Sequence, residues 1–263
     1  MFWTTADVVA RSRDIADASI LEWGSPVPFF GSLARSRIAT VGINPSNREF
    51  VGADGDVLAG RERRLPTTYS LGISSWEDAT PAHIECVLEE CDGYFRRNPY
   101  DSWFRVLDSV LSGTGTSYYS DADPACHVDL VPFATTTKWG ELRRDMRDRL
   151  MSASADVLGA YIRDSSVELL VLNGQSVVRQ FQAMADCRLA TEMIEAWTLP
   201  RRRGGGVRGI AYVGTLTTIG SVHLEREIDV VGYNHNLQSS YGVTTEVLQS
   251  ITAWLADRWG DRT

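Results

Sequence analysis

Three absences narrow what this chain can be. The sequence has no run of about 18 or more apolar residues, which argues against a membrane span. It has no C-x-x-C pair, so the usual spacings of zinc and iron–sulfur sites are missing. Its N-terminal stretch MFWTTADVVARSRDIAD carries charges too early for a secretory signal. We therefore expect a cytoplasmic protein without a metal or cofactor, whose four cysteines are reduced thiols.

Lysine is nearly missing as well. Of the 26 basic residues only Lys138 is a lysine, which leaves one candidate for Schiff-base chemistry. The net charge of -8 argues against general coating of nucleic acid, although it leaves room for a local basic groove. The chain has 263 residues, 43% of them hydrophobic and 10% aromatic, which is typical of a globular protein. With no repeat and no linker in the sequence, we predict a single domain over residues 1–263.

Short apolar, β-branched runs alternate with amphipathic segments along the chain. The runs predict strands at 38–43, 127–133, 167–172 and 228–232. The amphipathic segments predict helices at 5–22, 81–96, 101–112, 139–164, 175–185 and 243–258. Residues 188–227 are predicted to form short strands and a basic loop. This order predicts a three-layer α/β/α sandwich with a central, mainly parallel four-stranded sheet.

Small and amide residues follow each of the four predicted strands. The segments are GINPS at 42–46, DLVPFAT at 129–135, NGQS at 173–176 and GYNHNLQSS at 232–240. Any one of them could simply form a turn. Because the carboxyl ends of parallel strands meet at one edge of the sheet, four such segments together predict a polar ligand pocket there. No G-x-S-x-G, G-x-x-x-x-G-K or post-strand G-x-G-x-x-G motif is present, which argues against the common hydrolase and nucleotide-binding signatures.

GINPS after the first strand and NHNLQSS after the last resemble the two motifs of the uracil-DNA glycosylase superfamily. The order and spacing fit over roughly residues 36–258. The resemblance implies a four-stranded parallel sheet between helices and an enzyme that flips a nucleotide out of DNA and cleaves its N-glycosidic bond. The second motif departs from the family, because Asn236-Leu237-Gln238 replaces the usual Pro-Ser-Pro or Pro-Ser-Gly.

The resemblance also implies roles for individual residues. Asn44 matches the residue that positions the attacking water, and an amide can orient water against a sugar that is already cationic. His235 matches the second-motif histidine, which would donate a hydrogen bond to O2 of the departing base. Taken alone, His235 could equally be a buried or capping histidine. Water rather than Lys138 is then the attacking group, so we expect a monofunctional enzyme that leaves an abasic site in an intact strand.

Two residues bear on which base is excised. Ser46 stands where the strict uracil enzymes of the family carry a tyrosine beside the pyrimidine C5, so it leaves room for a substituent. Asp129 can be aligned with the family's base-reading asparagine, and an ionised carboxylate accepts from the N4 amino group of cytosine but repels O4 of uracil. Asp129 could instead cap a helix or pair with an arginine. With Gly42, Ile43 and Pro45 completing the base pocket, we expect a 5-modified cytosine as substrate.

The expected substrate is glucosylated 5-hydroxymethylcytosine in phage DNA, because a C5 substituent must be required if ordinary cytosine is to be spared. The chain would then resemble bacterial anti-phage glycosylases. The polar loop 47–80 offers possible sugar-binding groups: Asn47, Arg48, Glu49, Asp54, Asp56 and Arg61. Phe50 is the favoured stacking residue for the base, followed by Tyr69 and Phe133.

The expected partner is double-stranded DNA with one flipped nucleotide, bound by a monomer. Candidate contacts to the DNA backbone are Arg201, Arg202, Arg203, Arg208 and Lys138, with Arg63 and Arg64 as lesser candidates. Leu237, Gln238 or Tyr241 could fill the gap left by the flipped base. Two other functions stay open: a repair glycosylase for uracil or mismatched thymine, and a catalytically silent nucleic-acid or nucleotide binder on the same fold.

Overall fold

The computed structural model describes residues 19–200, 206–238 and 242–260. The strands β1 to β6 are Ile38–Gly42, Cys126–Asp129, Leu169–Asn173, Ala190–Leu199, Val207–Ile219 and Val222–Tyr233. The α-helices α1 to α6 are Thr68–Leu71, Pro81–Asp92, Asp101–Leu111, Arg144–Arg163, Gln175–Met184 and Thr245–Gly260. Short 3-10 turns connect several of them, including one at Asn47–Glu49 directly after β1.

The strands form one mixed six-stranded sheet in the order β2-β1-β3-β6-β5-β4. The first four in that order are parallel, whereas β5 and β4 extend the sheet in antiparallel pairs. The α/β class and the four parallel strands agree with the sequence-based prediction, but the predicted total of four strands is wrong. Every residue of β1, β2 and β3 is buried, as expected of parallel strands covered on both faces.

The antiparallel strand β4 was not predicted as a long strand because of its composition. β4 lies at the edge of the sheet, and most of its first seven side chains are exposed, including Thr191, Glu192 and Glu195. Such a strand lacks the apolar run that marks a buried one. β6, the last of the parallel strands in the sequence, is also longer than predicted, because it forms a hairpin with β5 along its whole length.

Helices cover both faces of the sheet. On one face, the Phe104 ring of α3 lies 5.4 Å from the His127 ring of β2. On the other, Val178 of α5 packs over Gly232 of β6. The strand register places His127 and Gly232 on opposite faces, because side chains alternate along a strand. The buried apolar residues of the described chain belong to one contiguous core.

Three predicted helices have clearly different bounds. The helix predicted at 81–96 ends at Asp92, and residues 94–96 form a separate 3-10 turn. The helix predicted at 139–164 begins at Arg144, because residues 139–141 form a 3-10 turn and Arg143 is extended. Of the helix predicted at 5–22, residues 5–18 lie outside the described chain. The described end is not helical, since the Leu21 amide donates to the Ala134 carbonyl at 2.9 Å. In the part of the chain that is described, no helix combines the length and apolarity needed to cross a bilayer.

Candidate active site

The carboxyl ends of the parallel strands bring four residues into one row. Gly42 pairs with Asp129, and Asn173 pairs with Tyr233, while β1 and β3 pair one residue earlier in each strand. Gly42 has no positive φ, so its role is to leave space. A Cβ there would collide with the carboxylate of Asp129 and the imidazole of His127. The glycine of the GINPS segment therefore makes room for a buried acid on the neighbouring strand.

A narrow cavity of about 70 Å³ opens above this row. Its polar lining comes from three elements: the loop after β1, the 3-10 turn that follows, and β2. Its aromatic lining comes from the chain before α3, from α3 itself and from the segment before β1. The polar lining residues are Asn44, Ser46, Glu49, His127 and Asp129. The aromatic ones are Phe30, Tyr100, Trp103 and Phe104, with Ile43 and Pro45 completing the wall.

A broad cleft of about 850 Å³ adjoins the narrow cavity. The two share Asn44, Pro45, Ser46 and Trp103 in their linings, so they lie side by side at the loop after β1. The rest of the cleft is largely polar. It is lined by Asn47, Arg48, Asp54, Thr135, Thr136, Thr137, Lys138, Glu141 and Asn236, among others. Its volume falls within the range of about 300–1,000 Å³ that is usual for ligand pockets.

Asn44 is held by its amide nitrogen. Nδ2 donates to the carbonyls of Pro45 at 3.1 Å and Phe133 at 3.2 Å, and to the hydroxyl of Thr135 at 3.2 Å. These contacts assign the amide orientation, because all three acceptors face the nitrogen. The oxygen Oδ1 accepts no hydrogen bond from residues within the described chain. Asn44 therefore presents a fixed acceptor, which is the group needed to orient a water molecule.

Asp129 ends a chain of buried polar groups. Its Oδ1 lies 3.3 Å from Nε2 of His127, and Nδ1 of that ring lies 2.6 Å from the hydroxyl of Thr40. Thr40 in turn contacts the hydroxyl of Tyr118, whose pKa is raised by burial. One proton order that satisfies every contact has Tyr118 donating to Thr40, Thr40 donating to Nδ1, and Nε2 donating to the carboxyl group of Asp129. The second carboxylate oxygen, Oδ2, accepts no hydrogen bond within the described chain.

Sequence reasoning missed His127 although a signal was present. Residues two apart on a strand share a face, so His127 and Asp129 had to point to the same side of β2. The imidazole is 1% exposed and supports the carboxylate from behind.

Glu49 is the second acid of the narrow cavity. It belongs to the 3-10 turn at Asn47–Glu49, whose first amides are capped by the Ser46 hydroxyl, which accepts from Arg48 at 3.2 Å. Oε2 of Glu49 accepts from the hydroxyl of Tyr94 at 2.6 Å. Burial raises the pKa of Glu49 to about 7. The sequence placed Glu49 among solvent-facing sugar ligands, whereas the capped turn directs it into the protein.

His235 does not face either cavity, which corrects the role expected from the second motif. Its Nε2 donates to the backbone carbonyl of Trp197 on β4 at 2.7 Å, and burial lowers its pKa. The neighbouring Asn234 is also used structurally, since its amide group accepts from the Ile210 amide and donates to the Arg208 carbonyl. Among the described residues of this loop, Asn236 lines the broad cleft.

The gap-filling candidates of the same loop are also placed differently from the prediction. Leu237 is 6% exposed and belongs to the core. Gln238 accepts from Nδ2 of Asn173 at 2.8 Å and lies 3.4 Å from the carbonyl of Trp103, so it ties the loop to β3 and α3. Tyr241 lies outside the described residues.

The stacking candidates need the same correction. Phe50 is 1% exposed, and its ring meets Trp23 edge-on at 6.1 Å, inside the core. Phe133 is buried and contributes its carbonyl to Asn44. Tyr69 is exposed beside Trp23 and lines neither cavity. The aromatic rings at the cavity are instead those of Phe30, Tyr100, Trp103 and Phe104, of which Trp103 and Phe104 belong to the helix predicted at 101–112.

Of the expected DNA contacts, Lys138 is exposed on the lining of the broad cleft. Arg208 is exposed on β5, and its carbonyl binds Asn234. Arg201, Arg202 and Arg203 lie outside the described residues. Among those that are described, no group of three or more histidine, cysteine, aspartate or glutamate side chains could hold a metal ion.

The site thus joins a fixed amide acceptor, two buried carboxyl groups and several aromatic rings at the carboxyl edge of a parallel sheet. This edge is where ligands bind in open α/β sheets. No protein-family model and no curated protein matches this chain. Its chemistry is therefore read from its own residues.

Proposed function

We propose that the protein is a monofunctional DNA glycosylase that excises a 5-modified pyrimidine, with glucosylated 5-hydroxymethylcytosine in phage DNA as the expected substrate. The observation that carries this proposal is the meeting of Asn44 and Asp129, from the ends of two strands, in one narrow cavity with aromatic walls. A base cannot be reached inside a duplex, so the target nucleotide must be flipped into such a pocket.

Asn44 supplies the acceptor for the attacking water. Cleavage of the N-glycosidic bond leaves an oxocarbenium-like sugar, against which an oriented water needs little activation by a base. Three acceptors share the two N–H groups of Nδ2, and they fix Oδ1 without help from the substrate. Preorganisation of this kind is what a catalytic positioning group requires.

Asp129 reads the base. Oδ1 is engaged by His127, so Oδ2 is the atom left to accept from an exocyclic amino group such as N4 of cytosine. Tyr100 and Trp103 line the same cavity, and stacking on an aromatic ring contributes about 1–3 kcal/mol per base. A uracil or thymine would instead bring its O4 against a carboxylate, which disfavours the repair function among the alternatives.

The broad cleft is the proposed position of the C5 substituent. Ser46 lies in the linings of both cavities, and its small side chain leaves room where the two lie side by side. Polar groups such as Asn47, Arg48 and Asp54 line the cleft and can bind the hydroxyl groups of a sugar. A cleft of about 850 Å³ is larger than an unmodified base needs.

One observation favours a second candidate, a nucleic-acid binder without catalysis. His235, which the family resemblance implied as the donor to the departing base, is bound to Trp197 instead. A binder would keep the base pocket but release nothing from DNA.

The experiment compares plasmid DNA with DNA from a phage that carries glucosylated 5-hydroxymethylcytosine, followed by an assay for abasic sites. We expect abasic sites in the phage DNA, almost none in the plasmid, and none from the Asn44→Ala variant. Abasic sites in plasmid DNA alone, formed at uracil, would contradict the proposed substrate. Retention of phage DNA without abasic sites would support the binder.

A further inference from the structure

The narrow cavity contains an acid that the proposed mechanism does not yet use. Glu49 lines it together with Asp129, although the two residues come from different elements. Glu49 is 3% exposed, and the only hydrogen bond of its carboxyl group within the described chain is the one that Oε2 accepts from Tyr94. Oε1 is therefore left to meet a ligand in the cavity.

Several charged or titratable groups surround Glu49. The hydroxyl group of Tyr94 donates a hydrogen bond to Glu49, and its oxygen accepts one from the backbone amide of Tyr100 at 2.8 Å. Arg64 is the nearby cation, but its guanidinium donates to the carbonyls of Asn98 and Arg48 rather than to the carboxyl group. Asp129 adds negative charge from β2.

The surroundings of Glu49 and Asp129 differ. Oδ1 of Asp129 lies 3.3 Å from Nε2 of His127, so its Oδ2 is the oxygen left to meet a ligand. Glu49 has no cation within hydrogen-bonding distance in the described chain, and burial raises its pKa to about 7. When two neighbouring carboxyl groups have such different settings, one serves as acceptor and the other can carry a proton.

We propose that Glu49, protonated, and Asp129, as a carboxylate, together read the donor–acceptor edge of an aminopyrimidine. Glu49 donates to the ring nitrogen, and Asp129 accepts from the amino group beside it. The inference deepens the proposed function and rests on it for the source of the base. It adds Glu49 as a residue that determines specificity and makes recognition depend on pH.

A uracil-type edge would be mismatched at both Glu49 and Asp129. Uracil presents an N–H where Glu49 needs an acceptor and a carbonyl oxygen where Asp129 needs a donor. Each mismatch leaves a buried polar group without its partner. We expect free cytosine and free 5-hydroxymethylcytosine to bind at least about 100-fold more tightly than uracil at pH 6, since sites built on hydrogen bonds reject mismatched analogues strongly.

The test is isothermal titration calorimetry of the whole chain with free 5-hydroxymethylcytosine at pH 6 and pH 8.5. In the wild type we expect affinity to fall roughly tenfold or more at the higher pH, because Glu49 loses its proton. E49Q keeps an N–H donor but cannot titrate, so its affinity should be the same at both values. The exposed Glu62 provides the matched control, and E62Q should behave as the wild type.

The outcomes separate this inference from the proposed function. An E49Q protein that keeps the pH dependence of the wild type, or a wild type that binds uracil as well as the cytosines, would overturn the role of Glu49 even if abasic sites form in phage DNA. Loss of the pH dependence in E49Q alone would support it even if no DNA is cleaved. Failure of the wild type to bind any free base would overturn it as well. Thermal unfolding of each variant checks that the fold is intact.

Discussion

Two loops of similar composition follow two parallel strands of the same sheet, but their polar side chains have different partners. Residues 42–46 follow β1, and residues 234–238 follow β6. Asn44 and Ser46 of the first loop line the narrow cavity. Asn234 and His235 of the second bind backbone groups of β5 and β4. A polar run after a strand is therefore evidence of polar partners, and those partners can be a ligand or the protein itself.

The neighbours of each strand explain the difference. β1 lies between two parallel strands, and its pairing with both is regular. β6 pairs with the antiparallel β5, and the register between β5 and β4 shifts between Ile194 and Leu199. Trp197 lies in that irregular stretch, and its carbonyl accepts a hydrogen bond from His235. Buried carbonyl groups need such partners.

The first loop should carry the largest effect on activity. Asn44→Ala removes the acceptor for water and should lower the single-turnover rate of base release by about 10²–10³, the usual cost of losing one preorganised group. Asn98→Ala is the matched control, because Asn98 lines neither cavity and its amide donates to the Glu62 carbonyl, and it should leave the rate near that of the wild type. Similar rates for Asn44→Ala and the wild type would remove Asn44 from the mechanism.

Glu49, in the turn that follows the first loop, should lower the free energy of unfolding when it is ionised. The folded-state pKa of Glu49 is about 7 against an ordinary 4.5, so the native state binds the extra proton and loses stability as pH rises between those values. At pH 8, Glu49→Gln should unfold with a free energy about 3 kcal/mol higher than the wild type, and the gain should vanish below about pH 4.5. Denaturant titrations across this range measure it, and a gain independent of pH would contradict the buried acid.

Asp129, on the strand beside the first loop, should control which base is preferred. Asp129→Asn places an amide donor where the carboxylate accepts, and should move the ratio of excision from cytosine-type toward uracil-type bases by about 10- to 100-fold. Matched oligonucleotides that differ in one base measure the ratio. A wild type that already prefers uracil would show that Asp129 does not read the base.

The second loop should affect stability more than chemistry. His235→Ala leaves the Trp197 carbonyl buried without its donor and should lower the free energy of unfolding by about 1–3 kcal/mol. The folded fraction should release base at a rate within a few-fold of the wild type. A variant with unchanged stability and a rate as low as that of Asn44→Ala would return His235 to the catalytic role that its motif implied.

The sequence predicted the parallel half of the fold because those strands are short, buried and β-branched. It did not predict β4, since an edge strand with exposed Thr191, Glu192 and Glu195 has no apolar run. The two long antiparallel strands were therefore interpreted as short pieces around a basic loop.

For the site, the sequence named Asn44, Ser46 and Asp129 as candidates, and the structure places all three in the lining of the narrow cavity. Asn44 and Ser46 follow a predicted strand, whereas Asp129 was chosen because it aligns with the base-reading asparagine of the family that the motifs resemble. Sequence reasoning misplaced Phe50 and Glu49, which are neighbours in one capped turn. Phe50 packs into the core and Glu49 faces the cavity. The direction of each side chain depends on the turn that Ser46 caps, and residue type does not reveal it.

The most direct test follows the released base itself. A duplex oligonucleotide carrying one glucosylated 5-hydroxymethylcytosine is incubated with the wild type. The masses of the released small molecules and of the strand are then measured by mass spectrometry. The account predicts the free modified base, an abasic strand of full length, and no borohydride-trapped adduct at Lys138. Release of uracil from a matched duplex while the modified cytosine stays in place would contradict it.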